Sequence, residues 1–250
     1  SFGIIEGDTV TQVDGSPFDS YTKTSTTHKL DSVKLEVPVI PPTFYAAGIN
    51  YPEHVTWAAQ MRGEEPVLPK QADVGYRAIN ALVEDGHDII VPKDATEMLQ
   101  YEGELVVVIG KTCRNVTEAQ ALDYVFGYTI GNDVSERVIQ KAEMAQGCML
   151  ICKGFDTFKP MGPYIETELD PTNLNLTTRL NGEIRQQSNT SDFIFPVADL
   201  IAYISDAVTL LPGDVIMTGT PAGVGPFQPG DAIEIEIEGI GTLGTGVVAE

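Results

Sequence analysis

Tyr101-Glu102-Gly103-Glu104-Leu105-Val106-Val107-Val108-Ile109-Gly110 is the stretch that decides the fold. Five consecutive apolar residues rich in Val and Ile, closed by Gly110, have the composition and length of a buried strand. Glu102 and Glu104 stand two residues apart at its entrance, and residues i and i+2 of a strand point to the same side. Two carboxylates that converge at a buried strand end repel each other unless a cation sits between them. A hard divalent ion such as Mg²⁺ satisfies that arrangement with oxygen ligands alone. The spacing is not sufficient by itself. Glu234-Ile235-Glu236-Ile237-Glu238 has the same spacing, yet there the acids alternate with Ile as on a half-buried strand that shows its acids to water. Support comes from a third acid. Gly127-Tyr128-Thr129-Ile130-Gly131-Asn132 reads as another strand and ends in Asp133, which either closes a three-carboxylate site or caps the helix expected over Val134–Gln140.

Composition bounds the rest. A chain of 250 residues with 42% hydrophobic content holds one large domain, or one plus a small appendage. No apolar run approaches the roughly 20 residues that span a bilayer, and the start, Ser1–Glu6, lacks the basic and apolar regions of a signal peptide. The formal charge of −21, from 36 acids against 15 Lys and Arg, argues against nucleic acid or an anionic membrane as partner. It also makes a local cation useful if the substrate is an anion. The odd count of three cysteines points to reduced thiols and an intracellular, cytoplasmic setting. Cys148 and Cys152 lie in an apolar stretch without a His or further Cys at ligand spacing. They read as buried small hydrophobes and not as zinc ligands.

Along the chain, Phe2–Ile5 and Thr9–Val13 flank Glu6-Gly7-Asp8 as a hairpin, and Val33–Val39 reads as a strand that stops at Pro41-Pro42. Residues 1–40 are therefore expected to form a small β-rich appendage and 41–250 the main domain. A strand ending at Gly48 leads into a turn carrying Asn50, Tyr51 and His54, before a helix over Val55–Met61. The pKa of His lies near neutrality, so His54 is a general-base candidate or a surface residue opening that helix. Residues 62–93 are loop-rich, as in a lid, with Lys70 and Arg77 as their cations. Thr117 and Gln120 read as a capping box. Leu174–Leu180, Asn181-Gly182 and Glu183–Gln187 read as a hairpin with a type I′ turn. Pro196–Val208 reads as an amphipathic helix, Val215–Met217 as a strand, and Gly219–Gly225 as a Gly-rich loop that lacks the Gly-Lys-Ser/Thr of a phosphate-binding motif.

In order, Gly48-Ile49-Asn50-Tyr51 with His54, Glu102-Gly103-Glu104, Gly131-Asn132-Asp133-Val134-Ser135-Glu136-Arg137 with Gln140, Lys153-Gly154-Phe155-Asp156-Thr157-Phe158, Asn181-Gly182-Glu183, Thr190-Ser191 and Gly219–Gly225 resemble the fumarylacetoacetate hydrolase superfamily over roughly residues 41–250. The likeness is greatest to its small bacterial-type branch, which handles acylpyruvates, oxaloacetate and dioic acids of aromatic catabolism. The resemblance implies a mainly β fold with a few helices (α+β), a mixed β-sandwich or β-roll, usually as a homodimer. It implies Mg²⁺, Mn²⁺ or Ca²⁺ on Glu102, Glu104 and Asp133, with His54 and Lys153 as catalytic residues. Asn50, Tyr51, Arg137, Gln140 and Thr220 fall on the substrate side.

The chemistry then expected is cleavage of a C–C bond in a small anionic 2-oxo acid of acylpyruvate type. The ion and Lys153 would stabilise an enolate. Decarboxylation or isomerisation of a 2-oxo dioic acid passes through the same enolate and is the alternative, and a weakly catalytic binder of a metal–oxo-acid complex is a further one. Two departures bear on the choice. Hydrolases of this branch carry Glu three residues after the His, where this chain has Trp57; Glu53, Glu64 and Glu65 are the acids nearest in sequence that could take its place. Arg77 stands near where the family has a Phe-x-Lys motif.

Overall fold

The computed structural model describes residues 1–95 and 98–250. The chain opens with β1 (Phe2–Glu6), β2 (Thr9–Gly15) and β3 (Tyr21–Lys29), which pair in that order as an antiparallel sheet of their own. Glu6 pairs with Thr9 across Gly7, whose φ of 61° lies in the left-handed region a tight turn needs. The Ser/Thr-rich β3 carries no hydrophobic alternation because it is exposed along almost its whole length. Val33–Val39, expected as a strand, forms none: Pro38 interrupts it and cannot donate to a ladder.

The main body follows as β4 (Phe44–Ala47), α1 (Pro52–Arg62), β5 (Val74–Tyr76), β6 (Leu82–Val83), β7 (Ile89–Val91), β8 (Leu99–Gln100), β9 (Gly103–Ile109), α2 (Glu118–Ala121), β10 (Val125–Asn132), β11 (Ser135–Glu136) and α3 (Arg137–Met144). It ends with β12 (Lys159–Glu166), β13 (Asn175–Leu180), β14 (Glu183–Asn189), α4 (Val197–Ala207), β15 (Val215–Met217), β16 (Ala232–Ile237) and β17 (Gly241–Ala249). Among the described residues, one sheet has the order β5-β4-β15-β9-β10-β12-β6 and a second the order β14-β13-β16-β17-β7. Mostly strands with four α-helices, this is the expected α+β architecture of curled mixed sheets.

Strand β9 lies mid-sheet, antiparallel to both β10 and β15. Its unbroken apolar run follows from having both faces covered. Leu105, Val107 and Ile109 enter the large core, while Val106 and Val108 pack on the other face against Phe44, Met161, Val215 and Met217. The second sheet closes the large core with Ile233, Ile235 and Ile237, and the intervening glutamates of β16 stay outside. α4 adds Val197, Leu200, Ile201 and Ile204 to the same core. Asn181 and Gly182 both have positive φ, 53° and 79°, as a type I′ hairpin requires.

Local details differ from expectation. α1 begins at Pro52, so His54 sits in its first turn. The helix expected from Val134 begins only at Arg137, because Ser135 and Glu136 first pair with β8; Glu136, not Asp133, caps it by accepting from the Ile139 N–H. The Thr117 hydroxyl bonds the Gln120 side chain rather than the backbone, and α2 is a single turn continued by a 3₁₀ turn to Tyr124. Cys113 and Cys152 are buried, but Cys148 is exposed, since it lies in the turn after α3 and outside both sheets. Among the described residues, no helix is long and apolar enough to cross a membrane.

Candidate functional site

The register of β9 and β10 brings the three acids together. Gly103 pairs with Asn132 and Glu104 with Gly131, so the entrance of β9 lies against the exit of β10. Glu102 and Asp133 flank that pair, joined by the Asp133 N–H to the Glu102 carbonyl at 2.9 Å and by the Glu102 N–H to Asn132 Oδ1 at 2.9 Å. Glu102, Glu104 and Asp133 are buried, and each offers a carboxylate oxygen within 4.8 Å of the others. Gly103 is required between them: a Cβ there would lie 2.3 Å from Thr178 Oγ1. Buried Gln186 braces the same point. Its Oε1 accepts the Gly103 N–H at 3.0 Å, and its Nε2 donates to Thr220 Oγ1 at 2.8 Å and to the Pro221 carbonyl at 2.9 Å.

Four cations surround the acids. Lys153 Nζ lies between two of them, 2.7 Å from Glu102 Oε2 and 2.6 Å from Asp133 Oδ2. Arg137 Nη2 is 2.5 Å from Glu102 Oε1. Arg77 holds Asp133 side-on, Nε to Oδ1 at 2.9 Å and Nη2 to Oδ2 at 2.8 Å. Lys159, fully buried, reaches Asp133 Oδ1 at 3.0 Å and donates to the carbonyls of Val134 and Phe158. The roles of Lys159, Gln186 and Arg77 toward the acids were not foreseen. Each comes from a distant element, and the available signals were a Lys between Phe158 and Pro160, a lone inward Gln on β14, and Arg77 itself, read as a lid cation near the place of the family's Phe-x-Lys motif.

These contacts set the protonation of the acids. Burial raises the Asp133 carboxyl, but Arg77, Lys153 and Lys159 outweigh it and hold Asp133 well below the usual range. Burial likewise opposes ionisation of Glu102, and the Lys153 and Arg137 cations overcome it. Glu104 is different. Burial and then the charges of Asp133 and Glu102 push it well above the ordinary value, although the Gly219 N–H donates to its Oε2 at 2.7 Å. Burial also brings the Lys159 ammonium down to about 8, against the pull of Asp133.

His54 lies within electrostatic reach of Glu102, Arg137 and Lys153 and bonds the Pro221 backbone. Burial lowers its pKa despite Glu102, so the ring is neutral at pH 7. Its buried Nδ1 has no hydrogen-bond partner among the described residues, and its ring lies 5.7 Å from that of Trp57. Glu53, Glu64 and Glu65 are exposed, and none of them hydrogen-bonds the His54 Nδ1. Tyr51 is buried against Phe193 with its hydroxyl unpartnered among the described residues, and burial and then Glu104 raise its pKa. Arg137 joins the site to Gln140, whose Oε1 accepts from its Nη1 at 2.8 Å. Asn50 and Thr220, expected on the substrate side, have side chains engaged within the fold. Asn50 Nδ2 donates to the Phe195 and Thr218 carbonyls and Oδ1 accepts the Phe195 N–H, while Thr220 Oγ1 donates to the Gly103 carbonyl and accepts from Gln186.

The donor set fits a divalent ion. Three carboxylate oxygens converge, with no His or Cys joining them among the described residues, and Glu104 is the acid whose charge the cations leave uncompensated, which is what a dication between the acids relieves. The relatives agree. Residues 43–248 match the family model described as fumarylacetoacetate (FAA) hydrolase C-terminal, and residues 1–38 match one described as Rv2993c-like, N-terminal. Protein Rv2993c of Mycobacterium tuberculosis is 41% identical over 96% of this chain and 88% of its own. The 4-hydroxyphenylacetate degradation bifunctional isomerase/decarboxylase of Salmonella dublin is 42% identical over 83% of this chain, which spans 47% of that longer protein. Among solved structures, a 5-carboxymethyl-2-hydroxymuconate delta-isomerase from Mycobacterium smegmatis superposes with a TM-score of 0.89 at 38% identity, covering 99% of this chain and 94% of that one. A maleylpyruvate hydrolase from Sphingobium sp. SYK-6, solved with manganese(II) and pyruvate, matches with a TM-score of 0.74 at 32% identity over 90% and 77% of the two chains. With its strand-entry carboxylates, its sheet order and these matches, the chain belongs to the fumarylacetoacetate hydrolase superfamily.

Proposed function

We propose that the chain acts on a 2-oxo dioic acid through an enolate, as a decarboxylase or an isomerase, with Mg²⁺ or Mn²⁺ held by Glu102, Glu104 and Asp133. The observation that carries this choice is His54, whose ring is neutral and whose Nδ1 has no carboxylate to orient it among the described residues. Activation of water by a histidine calls for such an acid, to fix the tautomer and stabilise the imidazolium. Loss of CO₂, or movement of a proton between two carbons, needs no activated water.

The bound ion would supply Lewis acidity to the 2-oxo group. Lys153 and Arg137, the cations on Glu102, hold the substrate's carboxylate and the negative charge that develops on its keto oxygen. His54, neutral, takes up or returns the proton at carbon. Four cations, Arg77, Lys153, Lys159 and Arg137, stand against three carboxylates, and this surplus of cationic groups favours a dianion over a monoanion. The isomerase and isomerase/decarboxylase among its relatives support the assignment. Hydrolysis of an acylpyruvate is the second reading, favoured by the likeness to the maleylpyruvate hydrolase. From the family resemblance, the working form is taken as a homodimer, and light scattering at the monomer mass of 27.0 kDa would count against that.

The test is a panel of oxaloacetate, acetylpyruvate and an unsaturated 2-oxo dioic acid, each with Mg²⁺ and with EDTA. Metal-dependent CO₂ release, or a change in absorbance without loss of carbon, is expected. Acetylpyruvate cleavage as the fastest reaction would establish the hydrolase instead.

A further inference from the structure

Lys153 sits on a weak element. It closes a single 3₁₀ turn, Ile151–Lys153, between two exposed residues, Leu150 and Ile151, and the acids it serves. The turn's own bonds are the Lys153 N–H to the Leu150 carbonyl at 3.3 Å and the Gly154 N–H to the Ile151 carbonyl at 3.0 Å. α3 buries no side chain, and in the turn Cys152 and Lys153 are buried while Ile151 is exposed. The polar tie between α3 and the turn is one carboxylate. Glu143 Oε2 accepts the Leu150 N–H at 3.0 Å and the Cys152 N–H at 3.0 Å, and Oε1 accepts the Ile151 N–H at 2.8 Å. The Cys152 thiol bonds the same group. Three successive donors that a short turn leaves orphaned are thus all satisfied from a neighbouring helix by charge-assisted bonds, which are the strong kind.

The same helix reaches the site at its other end. Arg137, Gln140 and Glu143 recur every three residues and so share one side of α3. Arg137 bonds Glu102 Oε1, Gln140 Nε2 contacts Met149 Sδ at 3.3 Å, and Glu143 holds the turn whose Lys153 bonds Glu102 Oε2. α3 therefore meets both oxygens of Glu102, one through Arg137 and the other through the Glu143-clamped turn.

We infer that Glu143 is a positioning residue for Lys153: its carboxylate clamps the backbone of 150–152 and so holds the Lys153 ammonium between Glu102 and Asp133. The consequence for turnover rests on the function proposed above, but the placement of Lys153 does not, and the experiment reads the placement.

Lys159 provides an internal control. It is as buried as Lys153 and bonds the same Asp133, but it belongs to β12 and owes nothing to Glu143. Brief acetic anhydride labelling of the folded full-length chain, read by peptide mass spectrometry, compares the two lysines in wild type, Glu143→Ala and Glu143→Gln. In Glu143→Ala, labelling of Lys153 is expected to rise roughly tenfold or more through local opening, with Lys159 unchanged. Glu143→Gln, which keeps one acceptor oxygen, should show a smaller rise at Lys153 alone, and it serves if the alanine variant does not fold. Protection of Lys153 as in wild type in both variants would overturn the inference. So would a parallel rise at Lys153 and Lys159, which would mark Glu143 as a general stabiliser only.

Discussion

At the scale of single residues, His54 and Glu104 carry the sharpest consequences. His54 is kept neutral by burial, with Arg137 and Lys153 acting in the same sense, so its pKa lies below the ordinary 6.5. A lowered pKa keeps the base deprotonated to lower pH, and the acid limb of kcat/KM should therefore lie below pH 6.5. Trp57→Glu would add the missing acid beside the ring, move that limb upward and raise C–C hydrolysis by about tenfold, a fraction of what an evolved base supplies. Manganese affinity should hardly change. An unmoved limb in a folded variant would show that position 57 does not address His54. Glu104 is the reverse case, with its folded pKa raised. Such a group favours the fold below the unfolded value near 4.5 and loses that contribution as pH rises through the folded value. Glu104→Gln keeps an acceptor for the Gly219 N–H and removes the charge. In the metal-free protein its Tm should pull ahead of wild type as pH rises, by about 2–5 °C, while the Tm gain from Mn²⁺ disappears. A variant that is less stable at every pH and still gains from Mn²⁺ would contradict the placement of the ion.

At the scale of elements, the site depends on clasps between segments far apart in sequence. Asn50 ties the loop before α1 to Thr218 on the Gly-rich loop and to Phe195 ahead of α4. Asn50→Ala leaves buried backbone groups unpaired at both places, which should cost roughly 2–4 kcal/mol. Thermal unfolding would show it as a fall of about 5–15 °C. A normal Tm with a raised KM would return Asn50 to the substrate side. Elements with strong periodicity were legible: β9 from its apolar run, β16 from its Glu/Ile alternation, α4 from its apolar stripe and the 181–182 turn from Asn-Gly. β3 was not, because an exposed polar strand has no hydrophobic period to show. Val33–Val39 misled because its alternation outweighed the meaning of Pro38. The start of α3 was misplaced because Ser135 and Glu136 satisfy their backbone groups with β8 before the helix begins.

At the scale of the whole molecule, a chain with a net charge of −21 gathers four of its 15 cationic side chains around three buried carboxylates. The acids were legible because strand geometry links Glu102 to Glu104 and the ends of two strands deliver Asp133. The cations were only half legible. Lys153 and Arg137 fall in motifs, whereas Lys159 reaches Asp133 from β12 and Arg77 from the segment after β5, pairings that no local spacing encodes. Four cations against three carboxylates are why a dianionic 2-oxo acid is the expected ligand. The proposed function requires the site to make an enolate, whichever bond then breaks. It is tested by proton NMR of deuterium uptake at the carbon beside the keto group of a 2-oxo dioic acid in D₂O, with Mg²⁺ or EDTA, for wild type and Lys153→Met. Exchange well above the solvent rate is expected for wild type with Mg²⁺, abolished by EDTA and strongly reduced in Lys153→Met. Exchange at the solvent rate in the Mg²⁺-loaded wild-type protein would contradict it.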